Sequence, residues 1–316
     1  MKATIQLLLT LTIASSSFAA EHAHWVGTWA ASPSPQLADD GHMRTAKLEF
    51  ENQTLREIVH TSIGGSTLRV RLSNAYGKET ITLGAAHIAL HAKGPDTVAG
   101  SDRTLTFGGQ ATISIPPNAP VLSDPVKLDA PASSDLVISL FFPKATEGAG
   151  IHYASQQTSY ISEGDVTAAA SIQSPTTVTS WAFLTGVDVV APEAASAIVA
   201  FGDSITDGAH STVDANHRWP NLLADRLLGQ GGKKAEIAVL DEGIGGNRVL
   251  HDASGNIQFG VNALARFDRD VLAQSGVKYV IVLEGINDLG HAGTSAPMSQ
   301  TVSAEEIIQG LQQLIA

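Results

Sequence analysis

The sequence predicts an N-terminal β-sandwich of jelly-roll-like type, followed by a parallel sheet covered by helices. Three observations predict it. The first half consists of short alternating segments separated by turn residues. The second half carries three continuous apolar runs with helical segments between them. The texture changes near Glu193. The expected organisation is a leader over 1–19, a β-sandwich domain over 20–192 and an α/β domain over 193–316.

The leader is read from its order of parts. Lys2 supplies a positive start, Ile5 to Ile13 is apolar apart from Gln6, Thr10 and Thr12, and Ser17-Phe18-Ala19 places small residues at a cleavage site. The apolar stretch is shorter than the ~20 residues that span a bilayer. Cleavage after Ala19 is therefore expected, with export to the periplasm or the medium and no stable membrane insertion. Removing Lys2 takes the formal charge from −12 to −13. Such an acidic chain is a poor nucleic-acid binder, because phosphate contacts dominate that affinity. With 43% hydrophobic and 16% charged residues the chain is not disordered. Having no cysteine, it holds no disulfide, thiolate nucleophile or cysteine-based metal site. No cofactor is expected: there is no Gly-Lys-Ser/Thr phosphate loop and no dinucleotide fingerprint.

In the sandwich, Leu68, Val70 and Leu72 alternate with Arg69 and Arg71, which read as a solvated face. Thr112–Ile115 alternates likewise, and Leu136, Ile138 and Leu140 share a face. Gly64-Gly65 between two such runs predicts a two-residue hairpin. Pro116-Pro117-Asn118 and Ala130-Pro131 end strands, and 168–180 reads as a loop. Trp25, Trp29 and Trp181 are expected to be buried or at the domain junction. His22 and His24 fall in an expected frayed tail, with metal binding as the less favoured reading.

In the α/β half, Ala197–Phe201, Ile237–Leu240 and Val277–Leu283 are the buried strands. Trp219-Pro220 opens a helix that stops at Gly229, Asn262–Leu272 reads as a second, and Ser303–Leu314 as a third. That last helix places Ile307, Ile308, Leu311, Leu314 and Ile315 on one face. The strands end in Gly202-Asp203-Ser204, Gly243-Ile244-Gly245-Gly246-Asn247 and Gly285-Ile286-Asn287-Asp288. Open parallel sheets bind ligands at the carboxyl ends of their strands. A hydroxyl, a glycine-rich turn and a carboxamide on one edge suit acyl transfer: the serine attacks a carbonyl while N–H donors hold the oxyanion.

These segments resemble the SGNH (GDSL-type) hydrolase family. Phe201–Gly208 looks like its first block, Asp241–Arg248 its second and Gly285–Asp288 its third. Trp25–Ala30 and Leu72–Gly77 are similar to secreted two-domain members with an N-terminal β-domain. The resemblance implies a flavodoxin-like three-layer α/β/α hydrolase domain and a serine esterase or lipase. Its implied partners are small-molecule or polysaccharide esters: acetylated carbohydrates, or short-chain and lipid esters. By motif matching it makes Ser204 the nucleophile, and Gly246 and Asn287 oxyanion-hole donors, with Gly245 the alternative glycine. Asp241 departs from the Asn that often begins the second block, and no Gly-x-Ser-x-Gly elbow is present.

The family's general base is a His in an Asp-x-x-His block after the fifth strand. Here that spacing occurs at Asp39/His42, Asp207/His210, Asp214/His217 and Asp288/His291, none at the expected place. His291 lies at the correct sheet edge and is the best substitute. The expectation is therefore a chain whose base and orienting Asp lie outside these 316 residues. It would be nearly inactive as it stands, with an unpaired sheet edge. A glycan-binding or adhesion protein with a degenerate hydrolase domain is the alternative.

Overall fold

The computed structural model describes residues 23–36 and 47–316. The expected leader, His22 and the Asp39/His42 pair lie outside the described residues.

The strand-rich N-terminal region is built of two main antiparallel sheets. One is ordered Trp25–Ala30, Leu184–Val190, Gly65–Ser73, Val126–Ala130, with Pro120–Leu122 also on Gly65–Ser73. The other is ordered Thr176–Val178, Ser159–Glu163, Gln53–His60, Asp135–Phe142, Ala85–Leu90, Arg103–Thr104. The alternating positions do what their period requires. Leu68, Val70 and Leu72 are fully buried, as are Leu136, Ile138 and Leu140.

Four expectations for this region change. Gly64-Gly65 is no hairpin: Gln53–His60 and Gly65–Ser73 pair in different sheets. Neither glycine has the positive φ that a primed turn demands. Gly64 instead lies where a Cβ would sit 2.6 Å from the Ala130 carbonyl oxygen. The segment 168–180 is not all loop, since Thr176–Val178 adds an edge strand to Ser159–Glu163. Arg69 and Arg71 do not face solvent. Arg69 donates to Asp188 at 2.8 Å and to Ser275 at 3.1 Å, and Arg71 to Gln274 at 3.3 Å, so both join the sheet to the C-terminal half. His24 is not frayed but lies 2.9 Å through Nε2 from the Ala195 carbonyl.

In the C-terminal half, three parallel strands are ordered Ile237–Gly243, Ser196–Gly202, Val277–Leu283. The central strand is apolar between its ends, and its Ala197, Val199, Ala200 and Phe201 are fully buried. The third strand is bonded on one side, and Tyr279 to Leu283 are exposed. Trp219–Gln230 is helical with Pro220 in its first turn. The expected Asn262–Leu272 helix divides: Asn262 caps an α-helix over Ala263–Phe267, which continues as a π turn over Asp268–Leu272. The final helix, Ala304–Ile315, opens on a Ser303–Glu306 capping box. Gly310 and Leu314 are buried, whereas Ile308 and Ile315 of its predicted apolar face stay exposed.

One contiguous core runs through both halves, joining Val26, Val70 and Ile138 to Val199, Phe201 and Leu240. Trp29 and Trp181 meet edge to face at 4.9 Å within it, as their size and polar edge lead one to expect.

Candidate active site

The site is built from three strand ends. Parallel pairing sets Gly202 opposite both Gly243 and Leu283, so the three chains leave the sheet at one level. Gly202 must be glycine here: a Cβ would meet Thr206 Oγ1 at 2.3 Å and the Leu283 carbonyl at 2.4 Å. Ser204 follows two residues later, as the first residue of a one-turn helix, Ser204–Asp207. Asp203 caps that turn, its Oδ1 accepting from the Ile205 N–H at 3.0 Å. Ser204 is half-buried, and its hydroxyl has no hydrogen-bond partner among the described residues.

The second strand end gives the glycine turn. Gly245 donates its N–H to Asp207 Oδ2 at 2.8 Å. Gly246, at φ +79°, keeps an N–H without a partner among the described residues. A Cβ on Gly246 would lie 2.3 Å from the Phe259 ring, so both conformation and space demand glycine. Asn247 is fully satisfied. Its Nδ2 donates to the Phe259 and Val261 carbonyls at 2.7 Å each, and its Oδ1 accepts from Arg266 Nε at 2.9 Å.

The third strand end is tied to the second. Asn287 Nδ2 donates to the Asn247 carbonyl at 2.9 Å, and Asp288 accepts the Val249 and Leu250 N–H groups at 2.7 and 3.0 Å. A primary amide has two N–H donors. One orients Asn287 on the Asn247 carbonyl, and the second is left for a ligand.

Two buried groups that sequence reasoning missed hold this edge together. Arg266, with no exposed surface, donates to Gly202 O, Glu242 O, Asn247 Oδ1, Ser32 Oγ and Asp270 Oδ2 at 2.8–3.2 Å. Glu284 lies 3.7 Å from it, and the Phe201 ring lies 4.0 Å beneath its guanidinium. One side chain thus ties two of the strand ends, the glycine loop and the N-terminal region. The second is His152, from the N-terminal region. Its Nε2 lies 3.0 Å from Asp207 Oδ1 and its Nδ1 3.0 Å from the Ser32 carbonyl. Both neighbours are oxygens; burial opposes the charged ring, and the Asp207 carboxylate outweighs it and raises the pKa.

The described Asp-x-x-His spacings do not form pairs. Asp207 meets His152 rather than His210, Asp214 accepts from Gln157 and Thr158, and Asp288 accepts backbone N–H groups. His291 packs its ring 5.3 Å from Phe259, the residue covering Gly246. Burial and the Arg248 charge lower its pKa. Among the described residues no group of His, Asp and Glu could hold a metal ion, and no helix is long and apolar enough to cross a membrane.

Residues 200–316 match the GDSL-like Lipase/Acylhydrolase family. This segment is a GDSL-like hydrolase domain. The GDSL-like domain thus begins in the central strand and contains Ser204, Gly246 and Asn287. No curated protein matches the chain. A family two carbohydrate esterase from Cellvibrio japonicus aligns at 14% identity over 93% of this chain and 71% of its own, with TM-score 0.24. A family two carbohydrate esterase from Clostridium thermocellum, solved in complex with cellohexaose, aligns at 14% identity over 90% and 71%, with TM-score 0.27. A third solved chain aligns at 21% identity over 38% of this chain and 53% of its own, with TM-score 0.30. The chain spans about half the length of that third structure.

Burial around the GDSL-like edge has a consequence for stability. Burial pushes the Asp241 carboxyl up to about 7 and the Glu284 carboxyl up to about 8. Burial opposes the charge on His152, but the Asp207 carboxylate outweighs it and raises that pKa too. All three groups bind protons more tightly folded than unfolded. Their contributions are therefore present below the unfolded values and lost as pH rises through the folded ones. Thermal melts should show a higher Tm at about pH 5.5 than at about pH 8.5. An equal or higher Tm at the alkaline end would contradict this balance.

Proposed function

We propose that the GDSL-like domain is a serine esterase working through an acyl-serine intermediate, in a protein exported to the periplasm or medium. The architecture this reading carries is a jelly-roll-like sandwich beside a three-layer α/β/α domain. The observation that carries it is the Gly245/Gly246 distinction: Asp207 takes the Gly245 N–H, while the Gly246 N–H is unpartnered beside an oriented Asn287 amide. Such donors are what a developing oxyanion needs.

In this reading Ser204 Oγ attacks the ester carbonyl carbon as its proton passes to a base. The carbonyl electrons move onto oxygen, held by the Gly246 N–H, the Asn287 Nδ2 and the Ser204 N–H. Collapse expels the alcohol, and water then releases the acid. No imidazole among the described residues bonds to Ser204. The 316-residue chain should therefore hydrolyse p-nitrophenyl acetate close to background, and added imidazole should raise the rate above that of imidazole alone by serving as the base for Ser204. Hydrolysis at enzymatic rates without imidazole would overturn the missing-base part of this reading. The substrates proposed are carboxylic esters, with acetylated carbohydrates and short-chain or lipid esters as the classes to compare.

Asn287→Ala tests the oxyanion donor. Imidazole-supported acylation of Ser204 should fall about 10²–10³-fold. An unchanged acylation rate would remove Asn287 from the site.

A further inference from the structure

We propose that His152, on the N-terminal strand-rich region, is a positioning residue for the oxyanion turn of the GDSL-like domain. The inference rests on the esterase reading and deepens it, by making the N-terminal region part of the reaction centre's support.

The chain of contacts is short and buried. His152 is fixed from behind by the Ser32 carbonyl at 3.0 Å, and the Trp181 ring lies 5.4 Å away. It holds Asp207 Oδ1 at 3.0 Å, in a pair whose side chains are 8% and 2% exposed. The other oxygen of the same carboxylate takes the Gly245 N–H at 2.8 Å. A carboxylate held at one oxygen by a fixed ring nitrogen has its second oxygen fixed as well. That second oxygen decides which N–H of the glycine pair is spent on structure. Gly245 is committed, and Gly246 is presented.

The backbone leaves little slack. The Asp207 nitrogen and Cα lie where a Cβ on Gly243 would come within 2.2 and 2.7 Å, so the nucleophile turn and the second strand end are in direct contact. Arg218 closes the other side, donating Nε to the Asp207 carbonyl at 2.8 Å and Nη2 to the carbonyl of Ser155, a near neighbour of His152 in the chain. Asp207 is thus held through its side chain by His152 and through its main chain by Arg218, which is itself tied to Ser155. A displaced carboxylate would move the turn, and small displacements of reacting groups cost rate steeply.

The test uses the full chain and two replacements that fill the His152 site. His152→Phe keeps a ring without hydrogen bonds, and His152→Gln restores an N–H donor without the charge. Two readouts are taken. Amide hydrogen exchange of ¹⁵N-glycine-labelled protein reports the Gly245 N–H without any need for turnover. In His152→Phe it should exchange about tenfold faster or more, and recover in part in His152→Gln. Imidazole-supported hydrolysis of p-nitrophenyl acetate should show kcat reduced roughly 10- to 10²-fold in His152→Phe with KM little changed, since the donor acts in the transition state. Gly245 protection that is untouched in both variants overturns the inference whatever the activity. Lost protection with unchanged kcat overturns the positioning role. If the wild-type chain shows no Ser204-dependent turnover, the esterase reading fails, and the exchange result still decides whether His152 sets the turn. If His152→Phe does not fold, His152→Gln carries both readouts alone, and wild-type values in it would overturn the proposal.

Discussion

Ser204→Ala is expected to abolish both the imidazole-supported turnover of p-nitrophenyl acetate that exceeds imidazole alone and the covalent labelling by a fluorophosphonate in the presence of imidazole. The effect should be complete, because every bond change in the proposed reaction passes through this one oxygen. The structure makes the substitution clean. The Ser204 hydroxyl has no protein partner among the described residues, so removing it strands no buried group. The Ser204 carbonyl, which accepts the Gly208 and Ala209 N–H groups at the end of its turn, is untouched. The melting temperature should accordingly stay near that of wild type, and loss of activity cannot be assigned to unfolding. Residual hydrolysis equal to wild type in the alanine variant would place the chemistry elsewhere.

Arg266→Met should have the largest effect on stability. Methionine keeps much of the stem's packing against Phe201 while deleting the guanidinium. The Gly202 and Glu242 carbonyls and Asn247 Oδ1 each lose an N–H donor. Asp270 keeps its two-point contact with Arg269 at 2.5 and 2.9 Å, so one carboxylate remains paired. Glu284 loses its nearest cation and is driven further towards its protonated form. Removing one partner from a buried charge network costs roughly 3–5 kcal/mol. Urea unfolding followed by circular dichroism should show that loss as a lower midpoint with little change in slope. A loss below about 1 kcal/mol would mean that the strand ends hold their level without the arginine.

The strand ends that carry Ser204, Gly246 and Asn287 were legible in the sequence, because each follows an apolar run within a few residues. A parallel sheet brings such ends to one edge by topology alone. The bounds of Val277–Leu283 were legible to the residue, since apart from Lys278 it is an unbroken run of aliphatic and aromatic positions, but its expected burial was not: Tyr279 to Leu283 are exposed. What the sequence did not show depends on distant partners. His152 carries no local signal: it sits 55 positions from Asp207, outside any motif. Arg266 lies in a helical segment with no motif around it, and only the fold brings Ser32, 234 positions away, into its reach. Arg69 and Arg71 alternate as surface residues do, yet their face meets Gln274 and Ser275 rather than water. Gly64-Gly65 failed for a related reason. Its composition suits a tight turn, but the chain there crosses between sheets, and packing against Ala130 rather than a turn type explains the glycine.

The central claim is that a single pocket receives an oxyanion from the carbonyl attacked by Ser204. A crystal structure of the protein phosphonylated by a fluorophosphonate in the presence of imidazole tests it most directly. The account predicts the phosphorus on Ser204 Oγ, with one phosphoryl oxygen about 3 Å from both the Gly246 nitrogen and Asn287 Nδ2. An adduct on another residue, or a phosphoryl oxygen turned to solvent away from both donors, would contradict it.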